Sequence, residues 1–104
     1  MKDEWAARSL CALGNETRVK LYRTLVRAGT EGANVGTLQQ VLGIPASTLA
    51  HHLSALTRAG LVIQERQGRE VISRVDCPAM RELIGYLTEE CCTGLRLEET
   101  ADAA

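Results

Sequence analysis

The chain has no phenylalanine, one tryptophan and two tyrosines. Any core is therefore built from Leu, Val, Ile and Ala. Histidine is equally scarce. The two present, His51 and His52, are adjacent, and neighbours on a helix point about 100° apart. A histidine-built metal site is thus disfavoured. No apolar run approaches membrane-spanning length. The opening MKDEWAARSL has no apolar core of the kind a secretory leader needs. These absences predict a cytoplasmic protein with no membrane partner, in which thiols stay reduced. Cys11, Cys77, Cys91 and Cys92 are then free thiols or ligands and not a disulfide framework. There is no glycine-rich phosphate loop, no Ser-His-Asp spacing and no carboxylate cluster suited to a cleft, which argues against an enzyme. Glu89-Glu90 and Glu98-Glu99 read as solubilising pairs.

A strong excess of either charge is missing too, since the net charge is −1. Its distribution is uneven. Residues 1–81 hold eleven Lys/Arg against seven Asp/Glu, a balance of +4, and residues 82–104 hold one against six, a balance of −5. DNA binding needs only a local basic surface, so a near-neutral whole is compatible with it. The 104 residues make one domain. A helical core of that size is marginal, and oligomerisation is a common remedy.

What is present centres on residues 34–60, NVGTLQQVLGIPASTLAHHLSALTRAG. Val35, Leu38, Val41 and Leu42 recur near helical spacing. Gly43 suits a sharp turn, Pro45 the first turn of a second helix, and Leu49, Leu53 and Leu56 line one face of that helix. The opposite face and first turn carry Ser47, Thr48, His51, His52 and Ser54, short or flat polar groups able to reach base edges and phosphates. With Gln39 on the preceding helix they are the candidate DNA contacts. The same pattern also describes an ordinary solvated helix face.

Upstream, residues 3–13 read as a helix with Trp5, Ala6, Leu10 and Leu13 as its apolar stripe. Asn15 caps a second helix over 16–28, with Leu21, Tyr22, Leu25 and Val26 inward. Downstream, β-branched runs at 61–66 and 69–75 surround Gln67-Gly68 and predict a hairpin within 61–76. Its tip arginines, Arg66 and Arg69, suit phosphates or the minor groove. A last helix is expected over 79–93, with Met80, Ile84, Leu87 and Cys91 on one face and Thr93-Gly94 as its cap. An acidic tail, 94–104, follows. The predicted fold is mainly α with a small β-hairpin: a winged helix-turn-helix of four helices, hairpin and last helix.

Three stretches resemble the ArsR/SmtB metal- and metalloid-responsive repressors. ALGNETRVKLYRTL (12–25) is similar to that family's second helix, ASTLAHHLSALTRAGLV (46–62) to its recognition helix, and LIGYLTEECC (83–92) to the last helix of members ending in a vicinal cysteine pair. Pro45 stands where relatives often carry a capping serine. The resemblance implies a homodimer built on the terminal helices, binding double-stranded DNA at an inverted-repeat operator and repressing until an inducer arrives. The family's Cys-Val-Cys-type arsenic site has no counterpart, since 33–37 reads Ala-Asn-Val-Gly-Thr. Its last-helix zinc-type site needs histidine, and residues 79–93 have none.

Cys91-Cys92 remains. Neighbouring Cα atoms lie about 3.8 Å apart, below the ~4.4–6.8 Å of a relaxed disulfide. A vicinal pair suits one soft, thiophilic ion instead. Glu89, Glu90 and a helix C-terminus disfavour thiolates, so a tightly bound ion must displace the protons. Two thiolates complete a trivalent arsenical already carrying one organic group. Inorganic As(III) or Sb(III) wants a third, for which Cys11 is the candidate. No constitutive cofactor is expected. Alternatives are a thiol-redox or reactive-sulfur switch, or a repressor with no small-molecule inducer and purely structural cysteines. Cys77 reads as packing.

Overall fold

The computed structural model describes residues 2–95. Helix α1 (Asp3–Leu13) ends at Gly14, and Asn15 caps α2 (Glu16–Ala28) by accepting the Arg18 N–H at 3.1 Å. A 3-10 turn (Gly29–Glu31) leads into a short strand, β1 (Ala33–Asn34), then α3 (Val35–Leu42) and α4 (Ala46–Arg58). Strands β2 (Val62–Gln67) and β3 (Glu70–Val75) precede α5 (Cys77–Thr88).

The winged helix-turn-helix expected from the sequence is present, with one added strand. β1 pairs antiparallel with β3 through Ala33–Ser73 and Asn34–Ile72, giving a three-stranded sheet of order β1-β3-β2. The close approach of β1 explains Gly32, whose φ is +70°. A Cβ there would lie 2.4 Å from the Ser73 carbonyl oxygen, so only glycine fits.

The core is the aliphatic one that the lack of phenylalanine requires. Leu21, Leu25, Leu38, Leu49, Leu56 and Leu61 are fully buried, with Tyr22, Leu53, Val62, Val75 and Leu83 packed around them. Asp76 caps α5 by accepting the Ala79 N–H, and Cys77 packs against the core as expected. In α1 the buried line is Ala6, Ser9 and Ala12; Trp5 and Leu13 are half-buried, and Leu10 is 44% exposed. Val26 and Val41 also face outward.

Three boundaries move, the first being the start of the last helix, which begins at Cys77 and not at residue 79. The hairpin turns on Gly68-Arg69, one residue later than expected, with Gln67 and Glu70 as its last pair. The last helix stops at Thr88 and does not reach residue 93. Thr88 bonds back to the Ile84 carbonyl at 2.8 Å, and Glu89 leaves the helical region at ψ 127°. Two carboxylates at the negative end of a helix oppose its continuation. Glu90 and Cys92 then take left-handed backbone, at φ +56° and +63°. Of the expected acidic tail, residues 96–104 lie outside the described residues.

Candidate nucleic-acid interface

Three local devices position α4. Gly43, left-handed at φ +64°, closes α3 by donating to the Gln39 carbonyl. Pro45 sits at the N-cap, in extended backbone just before the helix. At the far end Gly60 takes φ +80°, and the Leu61 N–H reaches back to the Leu56 carbonyl at 3.0 Å, a 6→1 closure.

With Leu49, Leu53 and Leu56 buried, the helical period leaves Ser47, His51, Ser54 and Arg58 on one outward stripe, at spacings of four, three and four. All four are exposed, and α4 contains no acidic residue. Thr48 is exposed on the flank of this stripe. Arg58 extends the stripe one turn beyond Ser54, the last α4 residue expected to touch DNA; the spacing itself was the available signal.

His52 is not on that surface, which corrects its assignment as a DNA contact. It is 8% exposed, and its Nδ1 accepts the Nε–H of Arg18 at 3.1 Å. Burial holds its pKa below the ordinary value, with the charges of Arg18 and His51 acting in the same direction. Arg18 also donates to the Ala12 carbonyl at 3.3 Å, so it joins the end of α1, the start of α2 and the middle of α4. Gln39 is half-buried on α3.

The wing flanks the stripe on one side, with Arg66 and Arg69 exposed at its tip. Lower down, Arg74 and Glu65 form an ion pair at 2.5 Å, which holds the Glu65 carboxyl below the usual range. Asn34 does two jobs. Its Oδ1 caps α3 by accepting the Thr37 N–H at 2.8 Å, and its Nδ2 donates to Glu70 at 3.0 Å. The start of the helix-turn-helix is thereby tied to the wing tip. Between α4 and the wing runs an apolar groove of about 350 Å³, bordered by Ala50, Ser54, Arg58 and Gln64. Ser54, Arg58 and Gln64 are its polar rim.

The cysteines lie elsewhere. Because α5 ends early, Cys91 and Cys92 occupy the turn beyond it and do not extend the Met80, Ile84 and Leu87 face. Both are exposed, with Sγ atoms 3.3 Å apart. Cys11 is exposed on α1, and no group of three potential metal ligands comes together among the described residues. Within the described residues of one chain, Cys11 does not gather with Cys91 and Cys92 into a three-ligand group. On α5 itself, Ile84 and Leu87 are more than half exposed. The Tyr86 hydroxyl donates to Asp3 and links α5 to α1.

The comparisons agree with this geometry. The helix-turn-helix domain family matches residues 13–65. A putative arsenical resistance operon repressor of Halobacterium salinarum is 43% identical over 60 residues, 58% of this chain and 46% of that protein. The chain spans about half the length of the curated relatives it matches. Among solved structures, NolR from Sinorhizobium fredii is 30% identical, with 83% of each chain covered and a TM-score of 0.66. An ArsR-like transcriptional regulator from Rhodococcus sp. RHA1 is 28% identical over 81% of this chain and 76% of that one, with a TM-score of 0.68. Stripe, wing and these likenesses together establish that the chain belongs to the helix-turn-helix domain family, as a winged-helix regulator of the ArsR/SmtB type.

Proposed function

We propose that the protein is a transcriptional repressor that binds an inverted-repeat operator as a homodimer and is released by a trivalent arsenical or antimonite at Cys91-Cys92. The observation that carries the DNA reading is the Ser47, His51, Ser54 and Arg58 stripe, exposed and free of acid, beside a wing with two tip arginines. Thr48 adds a flanking contact. Dimerisation is supported by the apolar surface that α1 and α5 leave open at Leu10, Ile84 and Leu87. Two such subunits place two recognition helices on successive turns of one DNA face.

The vicinal thiols support the inducer. Their Sγ atoms are exposed and 3.3 Å apart, close enough for one soft ion to bind both. For release, the ion must bind the DNA-free arrangement better than the DNA-bound one. A chelate just beyond α5 acts at the end of the helix that orients the two subunits. The names of the Halobacterium relatives favour the same inducer class.

The test is a gel-shift titration on the protein's own upstream region with methylarsenite, arsenite, antimonite, Cd(II) and Zn(II). Methylarsenite is expected to release wild type and to leave the Cys92→Ser complex intact. Release by none of them overturns the metal or metalloid inducer.

A further inference from the structure

On the side of α4 away from the wing lies a second cavity, of about 270 Å³, between α1, α2 and the end of α4. Arg8, Arg18 and Arg58 line it, one from each helix, and Cys11 stands among them. Alanines of α1 and α4 make up the rest of the wall, so nothing bulky separates the cationic groups. Both ion pairs found among the described residues, Lys20–Glu16 and Arg74–Glu65, lie elsewhere, and no carboxylate among those residues comes within 4.0 Å of the three arginines. Arg18 is held by His52 and the Ala12 carbonyl through Nε and Nη1, which leaves its Nη2 uncommitted.

Three guanidinium groups around one cavity, none of them in an ion pair among the described residues, repel one another. Their arrangement is stabilised by an anion, and the planar fork of arginine suits phosphate oxygens in particular. We propose that this cleft is a phosphate-binding site. Arg58 also belongs to the DNA-facing stripe, so the cleft opens beside the surface that meets DNA. Its phosphate then comes from a DNA strand or from a free phosphate-class anion. Only the first source rests on the proposed DNA-binding function. Arg8 itself lies about 200° around α1 from Leu10, the α1 residue of the exposed apolar surface.

Arg8 is the residue to test, because it is exposed and holds no other element in place. A random-sequence duplex of about 30 base pairs is titrated with wild type, Arg8→Gln and Arg8→Lys across about 50–200 mM NaCl. In parallel, Cys11 alkylation by iodoacetate and by iodoacetamide is followed by peptide mass, with and without inorganic phosphate. If the cleft takes a backbone phosphate, Arg8→Gln lowers the slope of log K against log[NaCl] by about 0.9 and Arg8→Lys does not. If it takes a free anion, the slope is unchanged, but phosphate slows iodoacetate at Cys11 in wild type and not in Arg8→Gln. An unchanged slope together with no phosphate protection overturns the proposal. Should wild type fail to bind the duplex, the DNA reading falls, while the alkylation arm still decides the cleft.

Discussion

Arg18 and His52, thirty-four residues apart, are joined by a 3.1 Å hydrogen bond in which the guanidinium donates and the imidazole Nδ1 accepts. The bond exists only while His52 is neutral. Its folded-state pKa lies below the ordinary value and its unfolded one does not. The unfolded chain therefore binds a proton first as pH falls. The stabilisation is complete above the unfolded value near 6.5 and is lost as pH drops towards the folded one. Urea midpoints are expected to fall between about pH 7.5 and 5.5. In His52→Asn, whose side-chain oxygen accepts the same bond without titrating, that part of the slope disappears. An equal slope in both proteins shows that His52 is not its source.

That bond also shows what the sequence could and could not tell. The pattern at 46–58 identified a recognition helix, and Gly43, Gly60 and Asn15 marked its surroundings correctly, because period and capping are local properties. Which of His51 and His52 is exposed was not a local property. It depended on Arg18, brought in by the packing of α2. β1 is two residues long and has no period to detect; it exists because β3 offers it an edge. The end of α5 was hidden for another reason. Residues 88–92 contain acceptable helix formers, and the break comes from charge at a helix terminus together with the back-bonding of Thr88. Where those effects met, the predicted cysteine face became a cysteine turn.

The entry to the helix-turn-helix is the place where backbone substitution costs most. Gly32→Ala combines a left-handed φ with a Cβ 2.4 Å from the Ser73 carbonyl. Backbone lies on both sides, so neither can yield without breaking the β1–β3 pairing. The loss is expected to reach about 3 kcal/mol or more, by strain and overpacking together. Asn34→Ala, next along, loses a helix cap worth about 1 kcal/mol and releases Glu70. Thermal melts that order the two the other way contradict this account of the turn.

Base reading and phosphate binding are separable on this surface. His51→Ala removes a stripe side chain and should cost about 1–3 kcal/mol on the operator, with little change on random DNA. Arg66→Gln and Arg69→Gln are expected to weaken binding to both. Each should lower the salt slope by about 0.9, the value for one arginine that neutralises one phosphate. Fluorescence anisotropy at several salt concentrations distinguishes the two behaviours. His51→Ala affecting both DNAs equally shows that the stripe does not read bases.

The exposed apolar face of α5 makes a claim about assembly. Ile84 and Leu87 are 55% and 54% exposed in a single chain. A glutamate at either position folds normally there but is buried and unpaired in a dimer, at a cost of several kcal/mol. Sedimentation of Ile84→Glu is expected to show a monomer with wild-type helix content, and two-site operator binding is lost with it. A dimer that survives this substitution is built on another surface.

The vicinal thiols give the sharpest stoichiometry. Three thiols, Cys11, Cys91 and Cys92, are exposed, while Cys77 is half-buried. Methylarsenite forms two arsenic–sulfur bonds, and its two hydroxyls leave as water with the thiol protons. One equivalent should therefore remove two of the three exposed thiols and leave Cys11 reactive. Arsenite has a third bond to satisfy. If Cys11 of a second chain supplies it, Cys11→Ser weakens arsenite binding and leaves methylarsenite binding unchanged. Cys92→Ser is expected to abolish both, because one thiolate is left at the turn and no other ligand group gathers there among the described residues. Thiol counting at fixed pH, with Cys91→Ser as the matched control, decides between these outcomes. An undiminished response in both single variants removes the turn as the sensor and leaves the DNA-reading surface untouched.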